Sequence, residues 1–274
     1  MVERLTAALE RARSSRAEAA PDAALSPGQD VSLPTSTAIN WMDVPEAALD
    51  PADLDDARIV DPARDSRPAA SLEILRTKLT GICRQNGWKR IAFVPTKSGC
   101  GATTLALNLA MTTARKGGTR VLLADLDSTS PTIAQRLDIA RGVPVPDVPG
   151  FLCPPETELS RLGENLVLMT GKAHARNSSS LIPGQGIRGL LRHLQSRLQP
   201  DLVFLDLPPV FSGGDAMALL TEADAAFQIA MANRTTAPEI DECAEAIAGS
   251  TAYLGVILNQ CADRRQRRLT DVAG

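Results

Sequence analysis

The stretch that decides the fold is RIAFVPTKSGCGATT, residues 90–104. Arg90–Pro95 is an apolar run of strand length. A turn carrying Gly99 and Gly101 follows, and Thr103–Lys116 reads as a helix closed by Gly117-Gly118. Strand, glycine turn and helix in that order make a loop whose backbone N–H groups can curl around phosphate oxygens, with the positive end of the helix dipole behind them. In an ordinary phosphate loop, lysine and then serine or threonine follow the second glycine. The lysine meets the β- and γ-phosphates and the hydroxyl meets Mg²⁺. Here Thr103 holds the hydroxyl position and Ala102 the lysine position. The candidate phosphate site is therefore Lys97, Ser98, Gly99, Cys100, Gly101, Ala102, Thr103 and Thr104. The competing reading is a strand-to-helix turn that binds nothing.

Two further motifs favour a ligand. VLLADLDSTSP (121–131) ends a strand on Asp125 and places Asp127 two residues later; DLVFLDLPPV (201–210) closes another on Asp206. Carboxylates at strand C-termini face the ligand crevice of an open parallel sheet, where they can hold Mg²⁺ or orient a water. Asp125 and Asp127 are the catalytic candidates, and Thr103, Asp127 and Asp206 the candidate metal ligands. Solvated turns are the alternative at each position, since Asp, Ser and Pro also form turns.

Around these motifs, Asn165–Thr170, Ala225–Ala232 and Tyr253–Leu258 read as further strands. Ala69–Arg84, Ile187–Leu198 and Pro238–Ala248 read as helices. Apolar strands alternating with amphipathic helices imply about seven mainly parallel strands with helices on both faces. Residues 1–16 have the pattern of a short amphipathic helix, with docking and solvated readings both open. Residues 17–68 are punctuated by seven prolines and read as a flexible, disordered linker, in which only the stretch around Trp41 and Met42 offers a docking point. The tail 262–274 carries Arg264, Arg265, Arg267 and Arg268, read as a solvated charged end.

The 274-residue chain has a net charge of −3 and 3% aromatic residues, which argues against nucleic-acid binding. No apolar run reaches the ~18 residues that a membrane span needs. Five cysteines without CxxC spacing point to a reducing, cytoplasmic setting rather than disulfides or zinc.

With these motifs in view, residues 70–261 resemble the MinD/ParA-type deviant Walker ATPases, and within them the cytoplasmic domain of the bacterial tyrosine kinases (BY-kinases) of exopolysaccharide and capsule assembly. Lys97 stands at the signature-lysine position, and Gly99, Gly101, Thr103 and Thr104 match the loop. Val121, Leu122, Leu123, Asp125, Asp127 and Pro131 match the second motif without its arginine. Asp201, Leu202, Val203, Asp206, Pro208 and Pro209 match the third. Gly255–Asn259 matches a later G-V-V-L-N, whose asparagine, here Asn259, lies near adenine in relatives. The resemblance implies a P-loop NTPase-type α/β domain over 69–261 that binds ATP or ADP with Mg²⁺. It also implies a cytoplasmic protein peripheral to the inner membrane through a polysaccharide co-polymerase, and a homo-oligomer formed through Glu73 and Arg76. Three departures stand out: Ala102; Leu79 for the last arginine of the E-x-x-R-x-x-R pattern; and a tail without tyrosine. Three functions follow as alternatives: a degenerate nucleotide-binding regulator, an active autokinase, and a MinD/ParA-like spatial organiser.

Overall fold

The computed structural model describes residues 41–47, 49, 54, 57–60, 66–116, 118–127, 132–139, 143–144, 158–170, 184–212 and 214–261. The expected helix over 1–16 and the basic tail 262–274 lie outside these residues. In chain order the regular elements are helix α1 (Arg67–Asn86), strand β1 (Arg90–Pro95), helix α2 (Ala102–Arg115) and strand β2 (Val121–Asp125). Then come the one-turn helix α3 (Ile133–Arg136), strands β3 (Val143–Pro144), β4 (Glu158–Leu162) and β5 (Leu166–Thr170), and helix α4 (Gly184–Leu198). Strand β6 (Leu202–Asp206), helix α5 (Gly214–Leu220), strand β7 (Ala225–Met231), helix α6 (Ala237–Ala248) and strand β8 (Ala252–Asn259) complete the set.

The strands form one sheet in the order β3-β4-β5-β2-β6-β1-β7-β8. From β5 to β8 every pairing is parallel. β4 runs antiparallel to β5, and β3 antiparallel to β4. Successive side chains on a strand point to opposite faces, so each apolar strand feeds two cores. Ile91, Phe93, Leu123 and Phe204 pack with α1 and α2; Ala92, Val94, Leu122 and Leu205 pack with α4, α5 and α6. Phe93 meets Phe204 edge-on at 5.2 Å between ring centres. Burying one such side chain contributes about 1.5–3 kcal/mol. This two-faced burial is why the strands read as continuous apolar runs rather than alternating ones.

Local signals set the helix ends. Ser66 accepts from Ala69 N at 3.3 Å ahead of Pro68, and Gly87 closes α1 with φ +68°. α6 follows Thr236, whose N–H donates to the Glu239 carboxylate at 3.0 Å.

Two expectations change. Parts of the segment 17–68, read as a flexible linker, are packed against the core. Trp41 is 1% exposed, its Nε1 donates to Glu164 O at 2.7 Å, and Arg120 lies over its ring at 5.4 Å. Glu46 forms a parallel bridge with Arg161 on the edge of β4. On the other face, Asn108 of α2 accepts from Val60 N at 2.7 Å and donates to Arg58 O at 3.1 Å, while Ala57 and Ile59 are buried. A 3-10 turn at Trp41–Asp43, the backbone bridge to Arg161 and a few side-chain hydrogen bonds fix the described residues of this stretch. The second change is β4. Arg161 interrupts its apolar pattern, yet it is 9% exposed because its guanidinium donates to Val44 O, Gly163 O and the Glu46 carboxylate.

Candidate nucleotide site

The C-terminal ends of β1, β2 and β6 bring three of the sequence motifs to one edge of the sheet. The loop after β1 begins with Thr96, which is buried and donates through Oγ1 to Ile229 O at 3.1 Å. Gln228 Nε2 donates to Thr96 Oγ1 at 3.0 Å, and Tyr253 OH donates to Gln228 Oε1 at 2.8 Å. This buried relay from β8 through β7 fixes the root of the loop. A glutamine inside the apolar run AAFQIAM was the signal for it. Burial pushes the Tyr253 hydroxyl up to about 12.

The loop turns through Gly99 (φ +81°) and Gly101 (φ +82°), a region where side chains other than glycine's are strained. Its outer side is held by the end of β8. Asn259 Nδ2 donates to Cys100 O at 2.9 Å, and Gln260 Nε2 donates to Gly99 O at 2.9 Å. A Cβ at Gly101 would lie 2.5 Å from Asn259 Nδ2. In a trans peptide the C=O and the next N–H point in opposite directions. Drawing the Cys100 carbonyl toward Asn259 therefore turns the Gly101 N–H to the other side of the loop. Asn259, expected near adenine, is thus placed on the loop backbone. Cys100 is fully buried, with its sulfur accepting from Lys97 N at 3.3 Å.

Lys97 is directed elsewhere. Its ammonium forms an ion pair with Glu239 at the start of α6. That pair and the hydrogen bond from Thr236 hold the Glu239 carboxyl down at about 2. Ser98 is exposed, Ala102 is 5% exposed at the first turn of α2, and Thr104 O accepts from Asn108 Nδ2 at 2.8 Å.

Asp125 and Asp206 sit opposite each other in the parallel register of β2 and β6. Asp125 is 9% exposed and accepts three backbone N–H groups: Asp127 at 3.3 Å, Thr132 at 3.0 Å and Ile133 at 3.1 Å. It organises the turn into α3. Burial nonetheless raises its carboxyl to about 6 against these donors. Asp206 is 1% exposed, and neither of its oxygens has a hydrogen-bond partner. Thr103 lies close enough to favour the anion, but its hydroxyl does not reach full hydrogen-bonding geometry. Burial first, and the Asp125 charge second, push the Asp206 carboxyl well above the usual range. A buried carboxylate without a donor fits a divalent cation, which would satisfy both oxygens and lower the pKa again. Among the described residues no group of three or more His, Cys, Asp or Glu is arranged to hold a metal. A cation here would therefore need the Thr103 hydroxyl, phosphate oxygens and water besides Asp206.

Glu73 and Arg76 pair with each other on α1 at 3.0 Å, and Lys116 reaches Glu73 at 3.8 Å. Leu79 is 1% exposed and part of the core. The sequence did not reveal the roles of Gln228 and Gln260 in holding the loop.

Residues 91–273 match the CobQ/CobB/MinD/ParA nucleotide binding domain, CbiA. The chain belongs to this family. No curated protein sequence matches it. Among solved structures, the kinase domain of the Escherichia coli tyrosine kinase ETK is similar at 19% identity and a TM-score of 0.62, covering 76% of this chain and 81% of that one. The VpsO kinase domain is similar at 24% identity and a TM-score of 0.56, covering 71% and 95%. The septum site-determining protein MinD of Pyrococcus horikoshii, complexed with Mg-ADP, is similar at 17% identity and a TM-score of 0.50, covering 67% and 76%. At these identities the likeness establishes the fold, a mostly parallel P-loop NTPase sheet shared by BY-kinase domains and MinD. Among the described residues no helix is long and apolar enough to cross a membrane.

Proposed function

We propose that this family member is a BY-kinase-like regulator of exopolysaccharide or capsule biosynthesis or export. In this reading it binds ATP or ADP with Mg²⁺ weakly and transfers phosphoryl groups poorly. It works in the cytoplasm, at the inner membrane, through a polysaccharide co-polymerase. One observation carries the reading: Asp206 is buried and unpartnered beside a glycine loop whose lysine position is Ala102. The half of the site that would hold a cation is kept, and the half that would follow the transferring phosphate is lost.

Backbone N–H groups from Gly99 to Thr103 would cradle the phosphates, because they need only the loop's conformation. Thr103 and Asp206 would hold Mg²⁺, directly or through water, and Asp127 would order water beside it. Bound Mg²⁺ would neutralise charge on the phosphate oxygens. Asp125, already holding three backbone N–H groups, shapes the crevice wall. Phosphoryl transfer depends on positioning and charge stabilisation, and Ala102 supplies none of the latter.

Active autokinase is the second reading, favoured by the three aspartates that remain. Against it, the chain has one tyrosine, and Tyr253 is half-buried with its hydroxyl held by Gln228. The test is incubation with γ-labelled ATP and Mg²⁺. The regulator reading expects no label on the protein and turnover near background, with Ala102→Lys raising turnover. Robust labelling of the wild-type protein would establish the autokinase instead.

A further inference from the structure

We propose that Arg136 is a phosphate-binding residue, supplying from the far wall of the crevice the positive charge that Ala102 does not. This rests on the nucleotide reading above and deepens it.

The loop itself carries two positions from which a cation could reach phosphate. One is Ala102, and the other, Lys97, is paired with Glu239. Arg136 ends α3, and α3 is tied to the acid pair. Thr132 N and Ile133 N donate to Asp125 Oδ2, and Arg136 Nε donates to Thr132 Oγ1 at 3.3 Å. Asp125 in turn lies in register with Asp206. Hydrogen bonds thus join the arginine to one carboxylate, and strand pairing joins that carboxylate to the other. The Arg136 charge also favours the Asp206 anion.

Asp206 is too deeply buried for an exposed arginine to bond it directly. Thr132 takes the Nε–H, and the terminal nitrogens of the guanidinium have no hydrogen-bond partner among the described residues. A planar fork whose terminal N–H groups have no partner among the described residues, anchored at its base on the helix whose N–H groups hold Asp125, suits the end of a di- or triphosphate chain bridged to a cation. Lysine in the loop and arginine on α3 would approach the same phosphates from opposite sides, so either can stand in for the other.

The experiment is a double-mutant cycle read by calorimetric titration with a non-hydrolysable ATP analogue and Mg²⁺. In the wild-type background, Arg136→Ala should weaken binding tenfold or more, and Arg136→Lys by less. In the Ala102→Lys background, Arg136→Ala should weaken it less than threefold, because the loop lysine takes over. Melting temperatures should match throughout. An equal loss in both backgrounds, the additive behaviour of an independent structural role, would overturn the proposal. So would unchanged affinity of Arg136→Ala, or binding by Ala102→Lys alone. If neither the wild type nor Ala102→Lys binds, the nucleotide reading itself falls.

Discussion

Asp206 places a cost on the folded protein that comes first from its burial and second from the Asp125 charge beside it. Asp125 and Asp206 both have carboxyl pKa values raised above the ordinary 3.8, Asp125 to about 6. A raised acid means that the folded state holds its proton more tightly than the unfolded chain. Above pH 3.8 the unfolded chain binds fewer protons, so the stability from Asp125 is present below that pH and is lost as pH rises through about 6, while that from Asp206 is lost at pH values well above 3.8. Asp206→Asn removes one charge and lets an amide N–H₂ donate to Asp125. Thermal melts of the ligand-free variant should show a higher midpoint at pH 7, by about 2–4 °C for each kcal/mol recovered, and a flatter profile as pH rises above 4. A lower midpoint at pH 7 would mean that the carboxylate already has a compensating partner. Gly101 gives a second prediction. Gly101→Ala puts a Cβ against Asn259 at a φ of +82°. Left-handed strain and the lost hydrogen bonds to the loop together should lower stability by about 1–3 kcal/mol in a denaturant melt. A neutral outcome would show that the β8 end does not brace the loop.

At the scale of elements, the described residues between 41 and 60 act as a strap rather than a tether. Trp41 packs with the α4 side of the sheet, residues 45–47 cover the open edge of β4, and Ala57 and Ile59 pack with α2. An exposed edge strand invites foreign pairing, and this coverage removes that risk locally. Trp41→Ala should therefore cost about 3–5 kcal/mol, while Met42→Ala, at a side chain 60% exposed, should stay within about 0.5 kcal/mol. Equal effects in urea melts would mean that the strap contributes nothing to the core. The strap was not legible in the sequence because its composition is that of a linker; one tryptophan was the visible clue. β4 was missed for a related reason. Arg161 is buried only because Val44, Gly163 and Glu46 receive its N–H groups, and two of those lie more than a hundred residues away. The loop and the strand-end aspartates were legible because each is set by neighbours in sequence. The clamp from Asn259 and Gln260 onto the loop joins positions some 160 residues apart, and the place of Arg136 depends on how α3 docks on Asp125. No local pattern reports either.

On the scale of the whole molecule, α1 shows why self-association should be weak. Glu73 and Arg76 satisfy each other, and Leu79 is turned into the core, so this face presents no arginine fork at that position. Sedimentation at micromolar protein should find monomer; a stable ring lost on Glu73→Ala would contradict this. The proposed function requires a nucleotide site that persists in degraded form. The most direct measurement is a calorimetric titration of the wild type and Ala102→Lys with ADP, with and without Mg²⁺. The wild type should bind weakly and only with Mg²⁺, and Ala102→Lys about tenfold tighter or more, from one charge-assisted contact. No heat from either protein would contradict the proposed function, and would mean a crevice already closed by its own side chains.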